Sequence, residues 1–202
     1  MKEIITIQHT QSIHHTNGMI GSWTDWDLTE LGKEQAHRIG LKLSDELKGK
    51  SYLMYSSDLL RARHTAEIVA KHLHITPIIN EVLRERNLGS AVGKSVEWLH
   101  ENARCWEKSV DDRVLDDADS RRDVWKRLEL FYQQIVNDEN ENIILVSHGD
   151  TLSIFNAIWL GLKPEALNTC DLFGMAGGVS FFYVNADGKH IIKRLSDMSY
   201  VR

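Results

Sequence analysis

Two histidines and an arginine stand at the places in this chain where chemistry is easiest to do. His9 follows the β-branched run Ile4-Ile5-Thr6-Ile7, and His148 follows the continuous apolar run Ile143-Ile144-Leu145-Val146. Arg61 lies just beyond a third apolar stretch, Tyr52 to Tyr55, that ends at Ser56-Ser57. Runs of this kind read as strands, and open α/β sheets bind ligands beyond the carboxyl ends of their strands. If the three strands are neighbours, two imidazoles and a guanidinium meet in one crevice. A helix side chain leans back toward the helix N-terminus, so Arg61 points to the sheet edge, beside amides that also attract anions. That combination suits a phosphate group. Each residue alone has an ordinary reading, a loop histidine or a solvated helix charge. Their coincidence at strand ends is what points to function, and Gly149 next to His148 allows backbone or ligand to approach closely.

The elements that must position these residues alternate along the chain. Thr29 reads as a helix N-cap, followed by the stripe Ala36, Ile39, Leu43 and Leu47. Ser57 or Asp58 is expected to cap the next helix, with Ala62, Ala66, Val69 and Leu73 on its inner face. Ile75, Ile78 and Ile79 suggest a third strand, interrupted by Pro77. The middle, from about Leu83 to Asp119, is mixed, with a helix expected over Val96 to Trp106. Ser120 with Asp123 resembles a capping box ahead of Val124, Leu128, Phe131 and Ile135. A helix from about Thr151 to Leu160 and two strands, Val179 to Val184 and His190 to Leu195, complete the chain. The alternation predicts an α/β fold: three layers, a mainly parallel sheet covered by helices on both faces.

Composition narrows the class. The 202 residues fit one domain, with 42% hydrophobic and 26% charged residues, as in an ordinary water-soluble protein. A net charge of -5 argues against a nucleic-acid or anionic-membrane surface but leaves room for a locally positive pocket. Cys105 and Cys170 show neither close pairing nor metal spacing, which fits a reducing, cytoplasmic setting. No apolar run approaches a membrane span and the N-terminus carries no signal-peptide pattern. A Gly-x-Ser-x-Gly elbow and a P-loop are both absent.

Four blocks in order resemble the histidine phosphatase (phosphoglycerate mutase-like) superfamily, over nearly the whole chain. The first runs from Gln8-His9-Thr10-Gln11-Ser12 through Ser22-Trp23-Thr24-Asp25-Trp26-Asp27-Leu28-Thr29-Glu30-Leu31-Gly32. The second is Ser56-Ser57-Asp58-Leu59-Leu60-Arg61-Ala62-Arg63-His64-Thr65-Ala66, the third Leu83-Arg84-Glu85-Arg86-Asn87-Leu88-Gly89 and the fourth Val146-Ser147-His148-Gly149-Asp150. Asp119-Ser120 with Arg127 echoes a further pattern. The resemblance implies a phosphoglycerate mutase-like fold with a small helical cap over about residues 90–119. It implies a phosphatase that hydrolyses a small phosphomonoester through a phosphohistidine. By that resemblance His9 is the nucleophile, Glu85 the proton donor and later acceptor, and His148 stabilises the equatorial oxygens. Gln8, Arg61, His15 and Gly149 bind phosphate, and neither metal nor cofactor is required. Without the resemblance, Glu85 reads as a surface ion pair with Arg84 or Arg86. Phosphotransfer of the mutase type, or phosphoester binding by an impaired member of the fold, are the alternatives. The expected partner is a small phosphorylated metabolite, and a homo-oligomer is compatible with the composition.

The departures fall inside the first block. The motif's arginine is Gln8, its glycine Thr10, its glutamate Gln11 and its loop asparagine His15. Gln8 keeps one donor but no charge. Hydrogen bonds to charged groups contribute about 1.5–3 kcal/mol, a loss of roughly ten- to a hundred-fold in rate. His14, His15, Arg63, Arg84 and Arg86 are the cations that could compensate. Thr10 implies an altered backbone or a smaller pocket. A metal site at His9, His14 and His15 is not favoured, because no carboxylate or cysteine stands nearby at zinc-like spacing. Trp98 and Trp106 read as cap packing, while Trp23 and Trp26 line the mouth or meet a partner.

Overall fold

A computed structural model describes residues 2–104, 107–137 and 142–202. Six strands form one sheet: β1 (Glu3–Gln8), β2 (Tyr52–Ser56), β3 (Ile78–Ile79), β4 (Asn142–Ser147), β5 (Val179–Val184) and β6 (His190–Asp197). Their order is β3-β2-β4-β1-β5-β6. The pairs β2·β3, β2·β4 and β1·β4 are parallel, while β5 and β6 extend the sheet antiparallel. Among the described residues four α-helices pack on it, α1 (Glu30–Glu46), α2 (Leu60–Leu73), α4 (Arg121–Asn137) and α5 (Gly149–Trp159), while α3 (Val96–Asn102) packs on a separate apolar cluster.

Strand alternation divides the core between two faces. Ile4, Ile143 and Leu145 point to one face, where they meet Val124, Leu128 and Phe131 of α4 and Ile154, Phe155 and Trp159 of α5. Ile5, Ile7, Ile144 and Val146 point to the other, against Ile39 and Leu43 of α1 and Ala62, Ala66 and Val69 of α2. Burying each such aliphatic side chain contributes about 1.5–3 kcal/mol. This is the three-layer α/β architecture expected from the alternation.

The register places the chemistry. Gln8 pairs with Ser147, and Ser56 pairs with Val146. The three central strands therefore end at one level, and the next residues, His9, Ser57 and His148, emerge side by side.

Local signals were read with mixed accuracy. Thr29 caps α1, its hydroxyl taking the Gly32 amide at 3.0 Å. Ser120 and Asp123 exchange the expected capping bonds, 2.9 Å and 3.2 Å. The cap of α2 is Leu59, neither Ser57 nor Asp58. The Ser57 hydroxyl is turned to His148, and Asp58 is held by Arg84. The third strand shrinks to the exposed edge pair Ile78–Ile79, and Ile75 packs beneath α2 instead. Helix α3 ends at Asn102, and Trp106 and Cys105 lie outside the described residues. Between α2 and α4, Ala91, Val114, Leu115 and Ala118 gather with Ile20 in a third apolar cluster, against which Trp98 packs. Among the described residues no helix is long and apolar enough to cross a membrane.

Candidate active site

His9 is 3% exposed at the end of β1. Its Nδ1 stands 2.8 Å from the Thr10 carbonyl, which can only accept, so Nδ1 carries the proton. Nε2 is then bare, and it accepts from Arg61 Nε at 3.2 Å. Burial, followed by the Arg61 charge, holds the ring's pKa well below the usual histidine value. His9 is therefore a neutral imidazole with a fixed tautomer and a nucleophilic lone pair.

Arg61 projects from the first turn of α2 and is almost wholly buried. Its Nη1 donates to the Thr24 carbonyl at 2.9 Å and its Nη2 to the Ser22 carbonyl at 2.7 Å. Burial lowers its pKa to about 10, leaving it charged at neutral pH. Ser22 has φ of +38°, a strained left-handed conformation for a residue with a side chain. It is held there from both sides: its hydroxyl donates to the Arg86 carbonyl at 2.8 Å and accepts the Leu88 amide at 2.9 Å.

The His148 ring lies edge-on to His9 with centroids 5.1 Å apart. Its Nε2 is 2.9 Å from Ser57 Oγ. That hydroxyl also accepts the Leu59 amide, and with two lone pairs and one proton it pairs with either tautomer of the ring. Nδ1 is buried and has no partner. A buried polar atom left without a partner costs about 1–3 kcal/mol, a mark of a group arranged for something else. Burial, then the Arg61 charge, keep this ring neutral as well.

Glu85 makes no ion pair with Arg84 or Arg86, whose partners are Asp58 and Glu81, and Glu107 and Asp150. It lies at the N-terminus of α5. Its Oε1 accepts the Arg86 amide at 3.0 Å and the Thr151 amide at 3.1 Å. Oε2 receives only the Asp150 amide, at 3.3 Å. Burial and the Asp150 charge raise the Glu85 pKa; the amides and Arg61 oppose this and lose. A proton on this carboxyl therefore belongs on Oε2, the less saturated oxygen.

The loop after β1 brings in His14 and His15, with ring centroids 5.7 Å and 5.4 Å from that of His9. His15 Nδ1 accepts the Ser12 amide at 3.1 Å, which leaves Nε2–H as a donor. Neither ring supplies the cation considered from the sequence. Burial, then His15 and Arg61, push the His14 pKa down to about 3, and burial, then Arg61, lower that of His15. Arg63, Arg84 and Arg86 are also committed, to Glu67, Asp58 and Asp150. Thr10 does not narrow the pocket: its side chain turns away between α1 and α2, donating to the Gly32 carbonyl at 2.8 Å beside Thr65. Gln11 likewise serves the scaffold, accepting from Thr29 Oγ1 at 2.7 Å.

Gln8, His9, His15, Arg61, Glu85 and Gly149 line one pocket of about 390 Å³, with His148 just behind His9. At its rim stand Arg86, weighed from the sequence as a compensating cation, and Asp150, quoted there without a role; sequence reading missed Arg121, Asp171 and Phe173. Arg121 bonds both Asp150, at 2.8 Å, and Asp171, at 2.6 Å. Phe173 stands over Gly149, where a Cβ would be 2.6 Å from its ring. Asp150 follows a recognised motif and was within reach of sequence reasoning; Phe173, 24 residues beyond Gly149, carried no local signal. Trp23 and Trp26 do not line the pocket; Trp23 instead donates to the Glu85 carbonyl at 2.7 Å and packs under Arg84.

Comparison with known proteins agrees with this geometry. The chain is 29% identical over 171 residues to a Hydrogenobacter thermophilus protein named "Putative phosphoserine phosphatase 2", covering 83% of each chain. It is 27% identical to the 2,3-bisphosphoglycerate-dependent phosphoglycerate mutase of Nitrobacter winogradskyi, covering 91% of this chain and 92% of that one. The fold superimposes on the alpha-ribazole phosphatase of Shigella flexneri with a TM-score of 0.82 at 22% identity, over 96% of both chains. A family model described as the histidine phosphatase superfamily (branch 1) matches residues 4–196, from the first strand to the last. With that match, and with its motif blocks gathered around one pocket, this chain belongs to the histidine phosphatase superfamily.

Proposed function

We propose that the protein is a phosphatase that hydrolyses a small phosphomonoester through a phosphohistidine at His9. The observation that carries this reading is the bare, neutral Nε2 of His9, 3.2 Å from the Arg61 guanidinium in an anion-sized pocket. His9 Nε2 attacks phosphorus as the ester P–O bond breaks, and the leaving oxygen takes the proton from Glu85 Oε2. Arg61 moves its Nε–H from His9 to a phosphoryl oxygen, and His148, in the tautomer that carries its proton on the unpartnered Nδ1, offers a second donor as charge builds. His15 Nε2–H and the Gln8 amide add neutral donors. Water then attacks phosphorus, Glu85 takes its proton, and the P–N bond breaks to release inorganic phosphate.

The rim favours hydrolysis over mutase-type transfer. A mutase must hold a second anionic group of its substrate, and here Arg86 and Arg121 are both neutralised by carboxylates. Relatives bear both phosphatase and mutase names, so this local feature discriminates where overall similarity does not. Phe173, 60% exposed, offers an apolar wall to the leaving group. The test is incubation with a generic phosphomonoester, following phosphate release, with a base quench to trap label on histidine. Turnover and trapped label in the wild type, both lost in His9→Ala, are expected. Phosphate binding with neither turnover nor label would favour the impaired-binder reading.

A further inference from the structure

One ring nitrogen from each of His9, His14 and His15 lies within 4.8 Å of the other two. We propose that these three imidazoles form a Zn²⁺ site which, when filled, removes the His9 lone pair from phosphoryl transfer. The binding half of this proposal stands on the geometry alone; the inhibitory half rests on the reading of His9 as nucleophile.

The cluster has the features of a ligand set. His9 and His14 have Nδ1 tied to oxygen, to the Thr10 carbonyl at 2.8 Å and to Ser12 Oγ at 2.5 Å, which leaves Nε2 of each as the ligand atom. Outer partners of this kind fix tautomer and ring direction in imidazole–metal sites. The three-residue turn Ile13–His15 holds the His14 and His15 centroids 4.0 Å apart. Gly21 makes room for the first of these rings, since a Cβ there would stand 2.8 Å from His14 Nε2. Three imidazoles with an open fourth position make a recognised zinc geometry, whose nitrogens stand roughly 3.4 Å apart. The rings must therefore close by up to about 1.4 Å. His15 is exposed and turns once it releases the Ser12 amide, and half-buried His14 pivots about its Ser12 bond.

Filling the site changes two bonds that the phosphatase reading uses. The ion takes the His9 Nε2 lone pair that Arg61 Nε–H holds in its absence, and the guanidinium must swing aside. His15 gives up the Ser12 amide to present a bare nitrogen in place of its Nε2–H donor. Metal and phosphoryl group thus compete for one His9 lone pair and demand opposite tautomers of His15. The Arg61 charge opposes any dication, which selects ions with strong imidazole affinity such as Zn²⁺ over Mg²⁺ or Ca²⁺.

The test uses chelator-stripped protein carrying Cys105→Ser and Cys170→Ser, to remove both thiols of the sequence. Zn²⁺ is titrated calorimetrically into this protein and into its His14→Ala and His72→Ala derivatives, the last removing the surface His37–His72 pair. One tight ion per chain is expected, with affinity falling roughly ten- to a hundred-fold in His14→Ala and holding in His72→Ala. Phosphate release should fall at least about tenfold at saturating Zn²⁺, recover with chelator, and resist Zn²⁺ in His14→Ala, each protein being compared with its own metal-free rate. Absence of a tight site, or one indifferent to His14→Ala, overturns the site. Tight binding with undiminished turnover overturns the inhibition. If no form turns over substrate, the phosphatase reading fails, and the calorimetry still decides the site.

Discussion

Replacing an arginine by glutamine beside a phosphoryl group removes a full charge and keeps one amide donor. Gln8 is buried between Gly149 and Gly174, with its side chain facing the pocket. The surrounding donors are neutral or already committed, so nothing on the loop restores that charge. Gln8→Arg is expected to raise kcat by roughly ten- to a hundred-fold, read as initial phosphate release. An unchanged rate would place the limit elsewhere. The proton donor makes a second prediction at this scale. Because Asp150 helps to raise the Glu85 pKa, the protonated acid survives to higher pH than a free carboxyl would. Asp150→Asn removes that charge and releases Arg86 toward Glu85; both effects favour the ionised form. The high-pH limb of the kcat/KM profile should therefore move to lower pH, with little change in the low-pH limb.

At the scale of elements, α5 unites the acid and the pocket wall. Its first amides, from Asp150 and Thr151, hold Glu85, and its first residue, Gly149, lies under Phe173. A Cβ at Gly149 would meet the Phe173 ring at 2.6 Å and Gln8 Nε2 at 3.2 Å. The ring is the exposed end of a flexible side chain and can swing away. Gly149→Ala is thus expected to leave Tm nearly unchanged, within about 0.5–1 kcal/mol of stability, while raising KM as Phe173 and Gln8 shift. Thermal melts beside steady-state kinetics check this. A collapse of Tm would mean that the close approach serves the core and not the pocket.

For the whole molecule, four histidines gathered at the pocket, three of them buried or half-buried, make stability depend on pH. His9, His14, His15 and His148 all have lowered values in the folded chain. Unfolded, each returns to about 6.5. Below that pH the unfolded chain binds more protons than the folded one, so unfolding free energy must fall as pH falls. Each such proton steepens the loss by about 1.4 kcal/mol per pH unit. Glu85, with a raised value, acts oppositely, adding stability that is full only below about 4.5 and lost as pH rises through its folded value. Tm should drop steadily between pH 7 and 5, and His14→Asn should flatten that slope. A flat profile in the wild type would show that these rings accept protons without strain.

Much of this protein was legible from residue order alone. Strand ends at His9, Ser57 and His148 follow from apolar runs, and Arg61 follows from helix period, because both are local properties of the chain. Four motif blocks then named the superfamily. Other features belong to tertiary contact between segments far apart in sequence. Ser57 holds the His148 ring across 91 residues, and the backbone of residues 22–24 anchors Arg61 across 37 or more. The direction of Thr10 away from the pocket, the neutralised arginines at the rim, and the gathering of His9, His14 and His15 were decided there too. Residue type records what a side chain is able to do; burial and the partner it meets determine its proton, its charge and its direction.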